Sequence, residues 1–257
     1  MRFLTKLEWE KLLNLLSFNK NSSLKETTEE LFFEITQTIK RLTNNLKDDK
    51  KTYGIAMTLF HYYVSLNGIR NIDKMEICFA CIYMSSKIQF INFSLNKYIE
   101  DYKNYIKNIQ GYDKKNPTPD LIKYEIQLYS QLGYDLDIET PFQFFFSDFL
   151  YKFPFITNNK ESFEKIKNFS FNLISDTYSR PLSIYYHPKI IYLSCCIFSI
   201  KFLEYNELFD INKLLQNENI DLVAECMEYI YQIYSRFIEG NSVKNNYNSS
   251  INNSNSK

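Results

Sequence analysis

The chain of 257 residues is 45% hydrophobic and 17% aromatic, a composition that excludes an intrinsically disordered protein. Its 30 basic residues equal its 30 acidic residues, so no positive excess is present to attract nucleic acid or an anionic membrane. Five glycines and six prolines are too few for the frequent tight turns of a β-sandwich or barrel, which favours a packed protein of long helices.

The sequence has no pattern that predicts secretion or a membrane span. Charged residues interrupt the apolar pattern of Met1 to Ser17, and no stretch approaches the roughly 18 uncharged apolar residues that a spanning helix needs. The five cysteines fall in apolar segments, where a free thiol packs as a small hydrophobic group. We therefore expect a protein of a reducing compartment that is not secreted.

The first half of the chain is predicted to form a short helix followed by a set of five. Thr5 and Glu8 have capping-box spacing for the short helix, and Thr27 and Glu30 repeat this spacing for the next one. The run from Lys74 to Phe90 is apolar on nearly every face, as in a helix at the centre of a bundle. The five helices of the set are expected from about Thr27, at Thr52 to Leu66, at Lys74 to Phe90, from Ser94 and at Thr118 to Gly133.

The second half repeats this organisation. When Lys87 is aligned with Lys201, the residues Ile77, Cys81 and Ser85 coincide with Ile191, Cys195 and Ser199. Its helices are expected from Thr140-Pro141, at Lys160 to Tyr178, at Ile190 to Leu203, near Glu207 to Leu215 and at Asp221 to Glu239. We predict an N-terminal helix and linker at 1–26, repeats at 27–138 and 139–239, and a disordered tail rich in Asn and Ser at 240–257.

No residue pattern predicts catalysis, a cofactor or a metal site. His61 and His187, the two histidines, have no Cys, Asp or Glu around them at ligand or triad spacing. Cys78 and Cys81 form a CxxC within an apolar helix, without a second ligand pair, which favours core packing over zinc or redox chemistry. No phosphate-binding loop, nucleophile elbow or HExxH motif occurs. We therefore expect a protein that is not an enzyme and takes no cofactor, metal or small-molecule substrate.

Two charges occupy positions where a charge is costly. Glu125 shares one predicted helix face with Leu121 and Leu128, so its carboxylate lies on an apolar stripe and needs a partner. Lys87 is the only charged residue in the apolar run from Ile77 to Phe90. A cation in the last turn of a helix can act simply by stabilising the helix dipole, so the residues alone leave a structural and a functional role open.

Three stretches of the sequence are similar to cyclins. TYGIAMTLFHYYVSLNGIRNIDKMEICFACIYMSSK resembles the cyclin box, in which a helix of the type "tatlyfhRFY" is followed by a buried helix ending "C.fLA.KvEE". LIKYEIQLYSQLGYDLDIETPFQFF is similar to the junction between the two cyclin repeats, and FNLISDTYSRPLSIYYHPKIIYLSCCIFSIKFLE to the second repeat of cyclins K, L, T and C. The resemblance covers about Thr27 to Glu239. It implies an all-α fold of tandem five-helix cyclin-box repeats with an extra N-terminal helix and a C-terminal helix.

The resemblance also implies a function. In cyclins, a Lys at the end of the third cyclin-box helix and a Glu in the fifth hydrogen-bond the kinase near its mobile C-helix, and they correspond to Lys87 and Glu125. This chain is thus expected to bind and activate a cyclin-dependent kinase as a heterodimer in the nucleus, in RNA polymerase II transcription or RNA processing, without direct contact with nucleic acid or membrane. The predicted kinase-binding residues are Lys87, Glu125, Phe60, Met84, Phe90, Leu121 and Leu128.

The sequence also departs from the cyclin pattern. Gln89 and Phe90 replace the acidic pair that follows the lysine, and Tyr62 to Val64 replace Arg-Phe-Tyr. The substrate-docking motif of cell-cycle cyclins has no counterpart in the second helix. Two other functions stay open. A nucleic-acid-binding core of the transcription factor IIB type has the same paired repeats but requires a basic surface, and a helical adaptor without a kinase is favoured by the divergence at Gln89 and Phe90.

Overall fold

The computed structural model describes residues 24–45, 50–68, 73–91, 94–107, 118–152, 160–205, 207, 211–216 and 218–235. Within these ranges the regular secondary structure is helical, so the prediction of an all-α protein is confirmed. The helices are α1 (Leu24–Asn45), α2 (Lys50–Asn67), α3 (Lys74–Ile88), α4 (Leu95–Lys107), α5 (Thr118–Gln131), α6 (Pro141–Lys152), α7 (Lys160–Thr177), α8 (Pro188–Phe202), α9 (Ile211–Leu214) and α10 (220–235), with a 3₁₀ turn at Leu182–Ile184. The short helix predicted near Thr5 and the tail at 240–257 lie outside the described residues.

One predicted helix start is wrong. α1 begins at Leu24, so Thr27 lies within its first turns and does not cap it. Leu24, Lys25 and Glu26 are all good helix formers, so the helix extends past the capping-box spacing that predicted its start.

The chain divides into two compact units. The first consists of Met1–Ser147 with Tyr178–Lys189, and the second of Asp148–Thr177 with Ile190–Lys257. The first unit is therefore built from two separate stretches of sequence. The predicted division into repeats after residue 138 is a division by sequence similarity and stays a prediction.

α3 is the central helix of the first unit and contacts α1, α2 and α5. All its residues from Glu76 to Ser86 are buried, and the stretch from Ile77 to Met84 is apolar on every face, as expected for a central helix. Asp73 caps it, because its Oδ1 accepts hydrogen bonds from the backbone nitrogens of Met75 (3.1 Å) and Glu76 (3.2 Å). Packing on several sides and a fixed start together set the position of the last turn, which carries Lys87.

Gly54 lets α2 approach the beginning of α6 closely. A Cβ atom on Gly54 would lie 3.1 Å from the Phe142 ring, 3.1 Å from the Tyr178 hydroxyl and 3.2 Å from the Thr140 Cβ atom. The Thr140 backbone nitrogen donates a 2.6 Å hydrogen bond to Gln143 Oε1, half of a capping box at the start of α6. The absence of a side chain at Gly54 is therefore part of the packing.

His61 ties α2 to the second stretch of the first unit. It is fully buried, with Nδ1 2.9 Å from Ser183 Oγ and Nε2 3.1 Å from the Tyr178 carbonyl oxygen. Because a carbonyl only accepts, Nε2 carries the proton and Nδ1 accepts from the Ser183 hydroxyl. Burial lowers the pKa of His61 to about 3, against the opposing effect of the Tyr178 carbonyl, so the ring is neutral at physiological pH.

Buried serines link the helices of the second unit. Ser170 Oγ in α7 donates a 2.9 Å hydrogen bond to Ser199 Oγ in α8, which donates in turn to the Cys195 carbonyl oxygen at 2.7 Å. Ser194 Oγ in α8 donates to the Val223 carbonyl oxygen in α10 at 3.2 Å. These bonds satisfy hydroxyl groups that the apolar surroundings would otherwise leave without a partner.

Candidate functional site

Lys87 and Glu125 form an ion pair that joins the last turn of α3 to the middle of α5. The Glu125 side chain is 14% exposed, as expected for a carboxylate on an apolar stripe, and the Lys87 side chain is 41% exposed. The partner that Glu125 requires is therefore Lys87. The carboxylate anchors the pair within the unit, and the ammonium lies at its surface.

Tyr83, one turn before Lys87 in α3, also holds the ammonium in place. Lys87 Nζ lies 4.6 Å from the centre of the Tyr83 ring, within the range of a cation–π interaction. Partial burial would lower the pKa of Lys87, but the hydrogen bond and charge of Glu125, together with Tyr83, outweigh it and raise the pKa above the usual lysine value. Lys87 is thus a fixed cation rather than a freely moving surface lysine.

The fixed ammonium can still donate to another molecule. An ammonium group has three donors, and Glu125 occupies one of them. With 41% of the side chain exposed, the group can reach carbonyl or carboxylate oxygens of a partner. Such charge-assisted hydrogen bonds are directional and fix the register of an interface.

The outward face of α5 adds an apolar surface beside this ion pair. Ile122 is 42% exposed, Ile126 is 62% exposed, and Tyr129 is partly exposed. Their spacing of four and three residues places them on one side of the helix, next to Glu125. These three residues were not predicted from the sequence, although the same helical spacing that indicated the inward stripe also places them on one face.

Four of the predicted kinase-binding residues lie in the core. Phe60, Met84, Leu121 and Leu128 are each at most 1% exposed. In this conformation they support the surface and form none of it, because the apolar periodicity that selected them marks the inward side of each helix. Their predicted contact with a kinase stays a prediction.

Phe90 has the opposite environment. Its side chain is 93% exposed, and its backbone adopts a left-handed conformation with φ of 56°. It follows the end of α3, where the Phe90 nitrogen donates to the Lys87 carbonyl oxygen at 3.0 Å and the Ile91 nitrogen to the Ser86 carbonyl oxygen at 2.9 Å. This is the hydrogen-bond pattern of a Schellman helix end, at which glycine is the usual residue.

A groove of about 560 Å³ runs beside Lys87 and Phe90 in the first unit. Both residues line it, together with apolar side chains of the chain segment that follows α5. The remaining lining residues are Lys51, Ile55, Ile88, Gln89, Tyr129, Leu136, Asp137, Ile138 and Gln143. The ion pair, the exposed phenylalanine and the groove therefore form one continuous surface.

The other candidate residues do not assemble a site. Cys78 and Cys81 are buried, and burial raises the pKa of each thiol, so both pack as protonated apolar groups. His187 lies at the surface, 3.3 Å from Glu139. Among the described residues, no group of His, Cys, Asp and Glu side chains could hold a metal ion. No helix in the described part of the chain is long and apolar enough to cross a membrane.

Comparison with known proteins identifies the fold through solved structures. No family model and no curated protein matches the sequence. A chain of the yeast RNA polymerase II CTD kinase CTDK-1 complex has a TM-score of 0.72 at 13% identity, with 91% of this chain and 73% of that chain covered. A chain of the Chaetomium thermophilum CAK complex bound to ATP-γ-S has a TM-score of 0.64 at 14% identity, with 89% and 70% covered. A chain of the yeast TFIIK complex has a TM-score of 0.63 at 18% identity, with 90% and 96% covered.

The matched chains are cyclin subunits of kinase complexes. At these identities the likeness establishes the fold, which is the all-α cyclin-box fold. The resemblance seen in the sequence is therefore confirmed at the level of the fold by coordinates covering about nine-tenths of the chain.

Proposed function

We propose that this chain is a cyclin of the transcription-associated kind, a regulatory subunit that binds and activates a cyclin-dependent kinase and has no catalytic activity of its own. The observation that carries this proposal is the Lys87–Glu125 pair, placed at a partly exposed edge between α3 and α5 of a cyclin-box fold. Its fixed ammonium, with apolar surface on either side, suits a partner helix that offers oxygen acceptors.

The mechanism is selection of the kinase's active state. A protein kinase is active when a conserved Lys–Glu pair involving its C-helix is formed. A rigid surface that binds the C-helix better in that position than in any other shifts the kinase population towards the active form. The buried central helix α3 supplies the rigidity, and Lys87 supplies directional hydrogen bonds.

The proposal extends to the pathway and the location. One similar chain belongs to a complex named as an RNA polymerase II CTD kinase. On this basis the partner kinase acts in RNA polymerase II transcription or RNA processing, and the complex is nuclear. The surface that binds the kinase belongs to the first predicted repeat, residues 27–138.

Affinity purification of the tagged chain from its own cells tests the proposal. We expect the wild-type chain to recover a cyclin-dependent kinase, identified by mass spectrometry, and the double variant Lys87→Ala, Glu125→Ala to recover much less. Removing the donor or acceptor of a charge-assisted hydrogen bond to a partner costs about 2 to 5 kcal/mol when the bond is buried in the complex, which is enough to release a bound kinase during washing.

The matched control is the double variant Glu161→Ala, Lys165→Ala, which removes an exposed ion pair of 2.7 Å within α7. Circular dichroism must show that both double variants are folded. If the wild type recovers no cyclin-dependent kinase, or one that both double variants retain equally, the proposal is wrong, and a helical adaptor or a nucleic-acid-binding core takes its place.

A further inference from the structure

The backbone at Phe90 is held in a conformation that a phenylalanine disfavours. A left-handed φ is uncommon for any residue with a Cβ atom and rare for a bulky one. Glycine occupies left-handed positions after two other helices of the first unit, Gly68 after α2 and Gly133 after α5. Tyr134, directly after Gly133, is also left-handed, with φ of 62°, so glycine is not the only residue that this unit places in such a conformation. Phe90 differs in standing alone at the end of its helix, where no glycine takes the left-handed position.

The ring itself contributes almost nothing to packing. At 93% exposure, Phe90 is the most exposed of the large hydrophobic side chains in the described ranges. Its counterpart in the second unit is Glu204, which also has a left-handed backbone, with φ of 61°. The same turn thus accepts a charged side chain in the second unit, so the turn itself does not require an aromatic residue.

The surroundings of Phe90 indicate the chemistry of what it meets. Gln89 points back into the unit, where its Nε2 atom donates to Thr52 Oγ1, so it offers no charge to a partner. The groove beside Phe90 is lined by Lys51, Lys87 and Asp137, and the charge of Lys87 is balanced by Glu125, so this surface has no acidic excess. A basic partner surface would therefore find no excess of carboxylates to pair with, whereas an apolar one would bury the ring and the apolar walls of the groove.

We infer that Phe90 is the specificity-determining anchor of this surface, and that the partner kinase presents an apolar pocket opposite it. The acidic pair that Gln89 and Phe90 replace in the cyclin pattern would instead suit a basic surface on the kinase. This inference rests on the proposed function. Aromatic side chains, phenylalanine included, are enriched at protein interfaces, and a few residues that fill well-packed pockets carry most of the binding energy. Phe90 thereby restricts the chain to kinases that carry such a pocket.

Phe90→Gly provides a sharp test, because its effects on stability and binding have opposite signs. Glycine adopts a φ of 56° without strain and removes no buried contact, so the thermal unfolding midpoint is expected to stay the same or rise. The affinity for the kinase recovered by the wild-type chain, purified and measured by calorimetry, is expected to fall about tenfold or more. A residue with a merely structural role would not lose affinity while the protein keeps or gains stability.

Two further variants complete the experiment. Glu204→Gly makes the same backbone change in the second unit and is expected to leave the affinity unchanged. Phe90→Glu places an acidic residue at the end of α3 and is expected to bind at least as weakly as Phe90→Gly. Wild-type affinity in Phe90→Gly, or affinity equal to or above wild type in Phe90→Glu, would overturn the inference. If the Lys87, Glu125 double variant then still loses the kinase, the proposed function stands alone, whereas a wild-type chain that binds no kinase removes both.

Discussion

His61 in α2 and Ser183 in the 3₁₀ turn form a buried hydrogen bond, with 2.9 Å between Nδ1 and Oγ, that joins two distant parts of the chain within one unit. The other ring nitrogen donates to the Tyr178 carbonyl oxygen. Both nitrogens of a neutral ring are thus satisfied. Protonation would place a positive charge in the core with no carboxylate among these hydrogen-bond partners.

The stability of the protein is expected to fall below neutral pH because of His61. Its pKa is about 3 in the folded chain, against an ordinary value of about 6.5 when unfolded, so between these values the unfolded chain binds one more proton. The contribution is fully present above about pH 6.5 and is lost as the pH falls towards 3, which amounts to about 2 kcal/mol between pH 7 and pH 5. Urea unfolding at the two pH values measures it. The variant His61→Gln should lose this part of the pH dependence while His187→Gln retains it, and equal slopes in wild type and His61→Gln would contradict the assignment.

Gly54→Ala is expected to destabilise the protein although alanine favours helices. The added methyl group would lie 3.1 Å from the Phe142 ring and the Tyr178 hydroxyl, and overpacking of this kind costs about 1 to 3 kcal/mol, more than the gain of about 1 kcal/mol in helix propensity. Thermal unfolding measures the difference. Gly68→Asn is the control, because asparagine tolerates a left-handed turn and nothing lies within 4 Å of that position. A stabilised Gly54→Ala variant would show that the helices can move apart without cost.

Glu125→Gln is expected to lower the pKa of Lys87. Glutamine keeps the size of the side chain and a hydrogen-bond acceptor, but it removes the charge that outweighs the effect of partial burial on the ammonium. Titration of labelled lysines by nuclear magnetic resonance measures the change. Glu161→Gln should lower the pKa of Lys165, its own partner, and leave that of Lys87 unchanged. An unchanged pKa of Lys87 in Glu125→Gln would mean that the ion pair is not formed in solution.

Ser170→Ala is expected to destabilise the second unit by about 1 kcal/mol, the usual net contribution of a buried hydrogen bond. Ser199 keeps its own bond to the Cys195 carbonyl oxygen, so the loss is confined to the bond between the two helices. A double-mutant cycle with Ser199→Ala, followed by urea unfolding, should give a coupling energy of about 0.5 to 1.5 kcal/mol. Ser235→Ala, at a more exposed position in α10, serves as the control. Additive effects of Ser170→Ala and Ser199→Ala would contradict the predicted coupling.

The sequence predicted the helices well because their signals are local. Asn67 followed by Gly68 marks the end of α2, and the Gly68 nitrogen donates to the Val64 carbonyl oxygen at 2.8 Å with φ of 72°. The partly buried carboxylate of Glu125 was also predictable, because the apolar stripe of α5 contains it. Local patterns of this kind depend on neighbouring residues in one helix.

Which apolar residues face outward was not predictable in the same way. Leu128 and Ile126 are both apolar, yet the first is fully buried and the second is 62% exposed. Apolar spacing in a sequence identifies the side of a helix that packs against the core. A binding surface lies on the opposite side, and which residues it contains depends on which parts of the helix its neighbours cover. The left-handed backbone of Phe90 was not predictable either, because the sequence has no glycine at this position to indicate a turn.

The composition of the first unit from Met1–Ser147 and Tyr178–Lys189 constrains how the protein forms during synthesis. His61 is translated more than a hundred residues before its partner Ser183, so the imidazole has neither of its hydrogen bonds while the intervening chain is still in the ribosome. The first unit therefore cannot complete the packing around His61 in α2 until Tyr178–Lys189 has left the exit tunnel. A chaperone that shields α2 would therefore act in the interval between the synthesis of His61 and the emergence of Ser183.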